Sequence, residues 1–331
     1  MKKSELFRHY NVYSDLAVEA HEILRGESEQ EIFGVRMDEE QLNNINVTTI
    51  TIENEQGAQE IGRPQGQYIT IDAPELHKNN YDLHKDITEV LSQKLQKLLN
   101  LTDNTSILLV GLGNWNATPD ALGPQVIDKT LVTRHLFEYS PTELNGKLRK
   151  ISAIAPGVLG VTGIETAEII RGIAEHVKPD LIIAIDALAA GSLDRIGTSI
   201  QLTDTGINPG SGIGNKRTQI NQDTTGCKVI ALGVPTVVNA AVIAHKCLDV
   251  LFEQMQKNKT FTKFSTELNC INSQFITRVL DETFSPFKGN LMVTPKEIDS
   301  LIKTTARIIA GALGISLHPG IDSEDFERYL Q

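Results

Sequence analysis

The sequence predicts an α/β fold in which a mostly parallel sheet carries helices on both faces, together with a small β-rich N-terminal subdomain. From Ile107 onward, short apolar runs alternate with stretches of helical periodicity, and such alternation is typical of crossover connections between parallel strands. Before residue 100, two β-type runs, 47–52 and 68–71, are separated by Gly, Pro and Gln. The length of 331 residues is sufficient for a large core.

Each predicted element follows from the spacing of its apolar residues. Helices are predicted where such residues recur every three or four positions, at 16–25, 82–101, 121–131, 164–176, 237–252 and 261–284. Strands are predicted at short apolar runs between polar residues, at 107–110, 150–154, 181–185, 198–202 and 228–232. A last helix is predicted to open with Thr294 as the N-cap, Pro295 in the first helical position and Glu297 in the third.

The composition excludes several classes of function. A formal net charge of -11 and a pI near 5.3 argue against a broad nucleic-acid-binding surface, which requires clustered Lys and Arg. The N-terminus lacks the apolar segment of a signal peptide, and no apolar run approaches the roughly 20 residues of a membrane span. Cys227, Cys247 and Cys270 match neither a zinc motif nor a disulfide framework. We therefore expect a cytoplasmic protein with no direct contact to nucleic acid or membrane.

Two acidic residues stand where predicted strands end. Asp120 lies in the loop after the strand at 107–110, and Asp186 closes the apolar run 181–185. Open parallel sheets bind ligands at the carboxyl ends of their strands, and a buried carboxylate is costly there unless it is paired, protonated or used. If the two strands are neighbours, about 4.8 Å apart, both carboxylates reach one water. Two carboxyl groups so close together do not readily both ionise. The charged acid can then take a proton from water, while the protonated acid polarises a carbonyl.

Other interpretations of these residues stay open from the spacing alone. Asp186 is equally suited to N-cap a helical segment at 187–190, and the oxygens of both acids could hold a divalent metal. Gly111 and Gly113 suggest a dinucleotide-binding loop, but Asn116 stands where the third glycine of that motif belongs. The dinucleotide interpretation is therefore the weakest of the three.

A second glycine-rich segment, 209–217, has the backbone amides and the two cations of an anion cradle. Asn215 interrupts the spacing that a phosphate-binding P-loop requires. The segment is therefore a candidate substrate-binding or oxyanion-stabilising loop, with an ordinary surface turn as the alternative. Its candidate residues are Gly210, Gly212, Gly214, Lys216 and Arg217.

At these residues the chain resembles the germination proteases of spore-forming bacteria. The resemblance rests on the segments 15–20, 111–124 (GLGNWNATPDALGP), 155–166, 185–190, 204–217, 233–238 and 290–297, and so covers nearly the whole chain. It implies a phosphorylase/hydrolase-like α/β fold and an endopeptidase that is made as a zymogen and cuts small acid-soluble spore proteins during germination. In this family two aspartates are regarded as the catalytic pair, and their motifs fall on Asp120 and Asp186.

The resemblance also implies that the chain removes its own leader between Asp15 and Leu16. An acid, a large apolar residue, Ala, any residue and Glu form the pattern around the family's cut sites, so residues 14–19 look like an internal copy of the substrate. We divide the chain accordingly into a propeptide (1–15), an N-terminal helix and β-rich subdomain packed on the core (16–100), an α/β catalytic core (101–315) and an acidic tail (316–331). The leader is expected to restrain the site until mild acidification and drying favour self-cleavage.

The family is similar, more remotely, to hydrogenase maturation endopeptidases, which use the equivalent acids to contact a metal. The histidine that would complete such a site is not evident here, so we expect a metal-free pair and no cofactor. A metal-dependent maturation-type endopeptidase is the alternative. The resemblance further implies a homotetramer in the spore core. The chain departs from the family in a shorter, more polar stretch at 253–289 and at Gly191, where some relatives carry arginine; these departures concern substrate positioning and subunit contacts.

Overall fold

The computed structural model describes residues 5, 7, 9, 10, 12, 14–28, 31–78, 80–139, 144, 146–210, 217–257, 273–287 and 290–321. Its strands are β1 (Val35–Leu42), β2 (Ile45–Ile52), β3 (Gly66–Asp72), β4 (Ile107–Gly111), β5 (Ile151–Ile154), β6 (Leu181–Ala190), β7 (Ser199–Thr203), β8 (Lys228–Asn239) and β9 (Met292–Val293). Its helices are α1 (Ala17–Ser28), α2 (Glu55–Ile61), α3 (Tyr81–Leu99), α4 (Leu122–Lys129), α5 (Leu159–Thr162), α6 (Thr166–Val177), α7 (Gln222–Thr225), α8 (Ala240–Lys257), α9 (Ser273–Phe284) and α10 (Ile298–Leu317).

The strands form one sheet in the order β1-β2-β3-β7-β8-β6-β4-β5, and β9 pairs with β8. Neighbours within β5-β4-β6-β8 run parallel, whereas β1, β2, β3 and β7 are joined to one another and to β8 in antiparallel pairs. The predicted α/β class is confirmed, and so is a parallel core. The sheet as a whole is mixed rather than mostly parallel.

The direction of β7 explains this difference. The connection 191–198 between β6 and β7 is shorter than the roughly dozen residues that a parallel crossover needs. β7 therefore turns back, and it pairs with β3 from Tyr68↔Thr203 to Asp72↔Ser199. The N-terminal strands β1–β3 thus extend the central sheet. Side chains from these strands and from the parallel strands therefore share the faces of one sheet.

Helices cover both faces of the parallel core, as predicted. On one face α3, α4 and α10 close the main core over β4, β6 and β8. On the other face α6 packs on one apolar cluster, and α1 packs on a second cluster that includes Leu188 of β6. Side chains of a strand alternate between faces, so Ile183 and Ile185 lie under the first set of helices, whereas Ala184 and Leu188 lie under the second.

One helix among the described residues, α10, is long and apolar enough to cross a membrane, with a mean hydropathy of 1.3. Within the protein 72% of that stretch is buried, as in a core helix. Its start differs from the prediction, because the position before Ile298 is Glu297, which makes no side-chain capping bond. The Thr294 hydroxyl donates instead to the Thr236 carbonyl of β8 (2.8 Å). The predicted Thr294 N-cap is therefore wrong, since a tertiary contact takes its hydroxyl.

Two central strands are longer than their apolar runs predict. β6 continues past residue 185 to Ala190, and β8 continues past residue 232 to Asn239, so that α8 begins only at Ala240. β4 accompanies β6 only as far as the pair Gly111↔Ile185. From residue 186 onward, β6 therefore has an edge that β4 does not cover. We call this edge, together with the following residue Gly191, the open edge of β6 (186–191).

The pairing of β6 with β8 contains a bulge. Asp186 lies opposite Gly233 and Leu188 lies opposite Pro235, but Ala189 lies opposite Val237. The residue between the last two partners, Thr236, is an extra residue in β8. A bulge of this kind bends the strand and increases its local twist, so the two parts of β6 on either side of it are aimed differently.

The described leader residues pack on α8 and α9. Tyr10 and Val12 are buried in an apolar cluster, whose other members include Val238, Val242, Ile276 and Leu280. The Tyr10 hydroxyl donates to Asp281 Oδ1 (2.9 Å), and His9 Nε2 lies 2.8 Å from the same oxygen. Burial and the neighbouring carboxylate raise the pKa of Tyr10, so its hydroxyl keeps the proton that it donates. The described residues of the predicted leader are thus attached to the body of the protein by packing and by hydrogen bonds.

Candidate active site

The loop after β4 folds back on itself and returns Asp120 to the end of the strand. The Leu112 N–H donates to the Ile185 carbonyl (2.7 Å), and the Asn114 N–H donates to the Asp120 carbonyl (3.0 Å). Gly113 has a φ of +114°, and a Cβ at this position would lie 1.9 Å from the Asp120 carbonyl oxygen. Both the backbone conformation and the lack of space therefore require glycine at residue 113.

Asp186 lies inside a strand rather than after one. Ala184 and Leu188, two residues before and after it, belong to the clusters beneath α6 and α1, so the Asp186 side chain points to the same face, between those helices. It is 5% exposed. Because β6 continues through 187–190, the alternative in which Asp186 N-caps a helix is wrong.

The two acids line one cavity of about 250 Å³. β4 and β6 are adjacent parallel strands, which is the arrangement that the pair requires. The remaining wall comes from Leu112 after β4, from the loops around β5 and β7 and from the start of α6. Its residues from these loops and this helix include Gly157, Glu165, Thr166, Gly210 and Arg217. Residues 120 and 186 are therefore brought together from separate parts of the chain at the carboxyl end of β4.

Both carboxyl groups bind their protons more tightly than an ordinary aspartate. Burial raises the pKa of Asp120 to about 6, although a backbone hydrogen bond from Asn114 opposes the rise. Burial also raises the pKa of Asp186 well above its usual range, and the charges of Asp120 and Asp15 raise it further. Of the two acids, Asp120 therefore gives up its proton more readily, and Asp186 holds its proton more tightly.

The glycine-rich loop reaches the cavity at both of its described ends. Gly210 and Arg217 line the cavity wall, and Arg217 Nη1 lies 3.3 Å from Glu165 Oε1. Of the predicted loop residues, these two line the same cavity as the acids. The other three predicted residues lie outside the described part of the chain: Gly212, Gly214 and Lys216.

Side chains that bind metals are sparse around the acids. The described residues contain no group of three or more His, Cys, Asp or Glu side chains arranged to hold a metal ion. Two of the cysteines, half-buried Cys227 and exposed Cys247, are free thiols, and Cys270 lies outside the described residues.

The predicted leader junction lies on the open edge of β6. The Asp15 N–H donates to the Ala189 carbonyl (3.0 Å), and the Ala189 N–H donates to Asp15 Oδ2 (2.8 Å). The charge of Asp15 raises the pKa of Asp186, which places the junction within electrostatic reach of the acid pair. Leu16 and Ala17 are fully buried. The junction is thus held in place rather than displayed on a loop.

Comparison with known proteins agrees with the family that the sequence resembles. The family model described as germination protease matches residues 14–280 and 253–330. A germination protease of Clostridium perfringens (strain ATCC 13124) is 45% identical over 323 residues, which are 97% of this chain and 99% of that protein. The chain belongs to the germination protease family. Other germination proteases include one from Caldanaerobacter subterraneus subsp. tengcongensis, 45% identical over 96% of this chain and 98% of its own length, and one from Bacillus cereus (strain AH187), 39% identical over 97% of both chains.

The comparison with solved structures gives a weaker similarity than the comparison of sequences. A nickel-iron hydrogenase maturation protease, HycI from Thermococcus kodakarensis KOD1, is 18% identical and aligns over 68% of this chain and 98% of its own, with a TM-score of 0.34. At that score the likeness is too low to inform the site.

Two residues that no sequence pattern singled out contact the segment around the junction, residues 15–19. Gln201 Nε2 donates to the Asp15 carbonyl (2.9 Å), and Arg195 lies 3.8 Å from the buried carboxylate of Glu19. Gln201 stands in a run that reads as an ordinary strand, and Arg195 stands in a connection. The available signal was a polar residue at an inward-facing position of β7, which calls for a hydrogen-bond partner.

Proposed function

We propose that this member of the germination protease family is an endopeptidase of an atypical aspartic type, with Asp120 and Asp186 as its catalytic pair. The observation that carries the proposal is the shared cavity, in which two acids have raised pKa values for partly different reasons. Asp120 is the acid that ionises first, and Asp186 is the acid that holds its proton more tightly. This division of roles is what hydrolysis by two carboxyl groups needs.

In the proposed mechanism, the Asp120 carboxylate takes a proton from water, and the resulting hydroxide attacks the carbonyl carbon of the scissile bond. Asp186 donates its proton to the carbonyl oxygen as the tetrahedral intermediate forms. When the intermediate collapses, Asp120 passes the acquired proton to the leaving nitrogen, and the re-forming carbonyl returns the other proton to Asp186. Both acids end in the protonation states in which they began.

We further propose that the chain is a zymogen that cuts itself between Asp15 and Leu16. Support comes from the attachment of the leader to α8 and α9 and from the position of the junction near Asp186. The substrates are small acid-soluble spore proteins, and the enzyme acts in the spore core, in the cytoplasm, as a homotetramer without a cofactor and without direct contact to nucleic acid or membrane. Mild acidification favours self-cleavage because it sets the protonation state of the pair.

The test uses the purified full chain and compares Asp120→Asn and Asp186→Asn with Asp128→Asn. Asp128 is an exposed acid on the neighbouring α4, so it controls for loss of charge. We expect both site variants to cut a small acid-soluble spore protein at least roughly 1,000-fold more slowly, with thermal melting showing that they fold. The control should cut at the parental rate. If Asp120→Asn and Asp186→Asn both kept the parental activity, the proposed catalytic pair would be refuted.

A second arm of the same experiment addresses the metal-dependent alternative. Cleavage by the full chain is followed after treatment with a chelator and after return of zinc, nickel or manganese. The proposed pair predicts a rate that the chelator leaves unchanged. Loss of cleavage with the chelator and its recovery with one metal would favour a maturation-type endopeptidase instead.

A further inference from the structure

The open edge of β6 holds three carboxylates in a row. Alternate N–H groups of a strand point to the same side, and here they belong to Ala187, Ala189 and Gly191. The first donates to Asp186 Oδ1 (2.9 Å), the second to Asp15 Oδ2 (2.8 Å) and the third to Glu19 Oε2 (2.6 Å). One edge therefore binds an acid of the catalytic pair, the acid before the junction and an acid after it.

A single side chain binds the backbone on both sides of the junction. Gln201 Nε2 donates to the carbonyl of Asp15 (2.9 Å), and Gln201 Oε1 accepts from the N–H of Ala17 (2.7 Å). The carbonyl is that of the bond to Leu16, and the N–H belongs to the next peptide unit. A primary amide offers one donor and one acceptor in a fixed arrangement, so Gln201 fixes the orientation of the scissile carbonyl.

The acid after the junction is fully buried and lies beside a cation. Glu19 is 0% exposed, and Arg195 Nη1 lies 3.8 Å from its Oε1. A Cβ on Gly191 would come within 3.0 Å of Glu19 Oε2, so a side chain there would crowd the carboxylate. A buried carboxylate requires such compensation by charge and by hydrogen bonds, and a neutral amide in its place would gain much less from the cation.

We propose that the open edge of β6, Gln201 and Arg195 form the subsite that selects the substrate. The edge amides bind a carboxylate on each side of the cut bond, Arg195 adds selectivity for the acid at the fourth position after the bond, and Gln201 orients the bond itself. The ligand is a peptide with the pattern given above for the family's cut sites, which is an acid, an apolar residue, a small residue, any residue and an acid. Residues 15–19 occupy this subsite in the precursor. The proposal rests on cleavage between Asp15 and Leu16.

A consequence follows for cleavage in trans. Leu16–Glu19 remain part of the chain after the leader has been cut off, and a substrate needs the contacts that these residues make. The new N-terminal segment therefore competes with the substrate for the same amides, and the substrate must displace it. Selectivity for the second acid should accordingly appear in KM, whereas the orientation of the bond by Gln201 should appear in kcat.

The first test follows self-cleavage of the full-length precursor by mass spectrometry of the released leader. Gln201→Leu should slow it roughly 100-fold, as expected for loss of a donor to a developing oxyanion. Gln201→Glu loses the donor when ionised and regains it when protonated, so its rate should recover with falling pH more steeply than that of the parent. Thr203→Val is the control, because the Thr203 hydroxyl lies on the same strand and bonds Thr205; it should cut within about 2-fold of the parent.

The second test compares two synthetic peptides, which carry Glu or Gln at the fourth position after the bond. The parental enzyme should prefer the Glu peptide roughly 10-fold or more in kcat/KM, through KM, and Arg195→Gln should lose that preference. Arg36→Gln, which removes an exposed cation, should keep it. Equal cleavage of both peptides by the parental enzyme would overturn the subsite even if Arg195→Gln failed to fold.

The outcomes separate this proposal from that of the catalytic pair. If Gln201→Leu and Gln201→Glu cut at the parental rate at every pH while Asp120→Asn is inactive, the subsite is wrong and the pair stands. If Asp120→Asn and Asp186→Asn still cut, the pair is wrong whatever Gln201 does. Slow cleavage by Gln201→Leu together with the acid-dependent recovery of Gln201→Glu would support the subsite, since a merely structural role gives no such recovery.

Discussion

The loop that carries Asp120 and the strand that carries Asp186 hold their acids in opposite ways. The loop folds back through Gly113 and leaves Asp120 partly accessible, whereas β6 fixes Asp186 between paired strands at 5% exposure. Burial raises the pKa of both acids, but only Asp186 has the charges of Asp120 and Asp15 among the causes of its shift. The surroundings of Asp186 on the strand thus favour its protonated form, whereas Asp120 on the loop ionises more readily.

The largest effect should come from a change that moves the loop and leaves the strand in place. In Gly113→Ala the added Cβ would overlap the Asp120 carbonyl, so Asp120 must shift. We expect at least roughly 100-fold slower cleavage, because a displacement of about 1 Å at a reacting group has that order of effect. Cleavage of a spore protein substrate is the measurement.

The control for this variant is Gly62→Ala. Gly62 also has a positive φ, +71°, but its Cβ would meet no atom within 4 Å, so the variant has the backbone strain without the clash. It should lose about 1 kcal/mol of stability and keep its activity. Parental activity in Gly113→Ala would show that the loop tolerates movement and that the comparison between loop and strand does not hold.

The next effect concerns stability as a function of pH. The pKa of Asp120 is about 6 in the folded chain, against an ordinary value of 3.8, so folding favours its protonated form and its ionisation destabilises the fold as pH rises through 6. Asp120→Asn should therefore raise the free energy of unfolding at pH 7.5 by roughly 1–2 kcal/mol, allowing for solvent screening. The gain should vanish near pH 4, where the parental acid is largely protonated.

Asp186→Asn should also raise the free energy of unfolding, and by more than Asp120→Asn does, because Asp186 is the more deeply buried acid. Urea unfolding of the parent and both variants between pH 4 and pH 8 measures the two differences. Asp128→Asn, from the exposed surface of α4, should give a nearly flat difference. A larger gain for Asp120→Asn than for Asp186→Asn would reverse the assignment of the acid that holds its proton more tightly.

The smallest effect tests how far the junction influences the strand acid. Asp15→Asn removes one of the charges that raise the pKa of Asp186, so that pKa should fall. Titration of the Asp186 carboxyl carbon by NMR in the full-length chain reports the change directly. Asp82→Asn, at an exposed position of α3, should leave the titration unchanged, and an unchanged titration in Asp15→Asn would separate the junction from the pair.

The predictable features of this molecule are those that depend on local pattern. The periodicity of α3 and the apolar runs of β4, β5 and β6 locate these elements, and the position of residues 120 and 186 after such runs is sufficient to suggest a pair. The direction of β7 and the length of β6 depend on which strands become neighbours. Thr294 illustrates the same limit, because a distant carbonyl on β8 takes the hydroxyl that local rules assign to a cap.

The residues around the junction were beyond prediction for a related reason. Gln201 has its role only because β7 runs antiparallel beside β8 and faces the same side of the sheet as Asp186. Arg195 is informative only once Glu19 is known to be buried. Sequence spacing identifies acids that end strands, but it does not identify the partners that other strands bring to them.

The extra residue in β8 divides β6 into two parts that can diverge separately. Before the bulge, Asp186 keeps a fixed register with Gly233; after it, Ala189 is paired one residue out of step. A change of twist at Thr236 can therefore re-aim the amides at 189 and 191 while the carboxyl at 186 stays in place. Among related enzymes, the peptide that the proposed subsite prefers can therefore change during evolution while the proposed catalytic pair is retained.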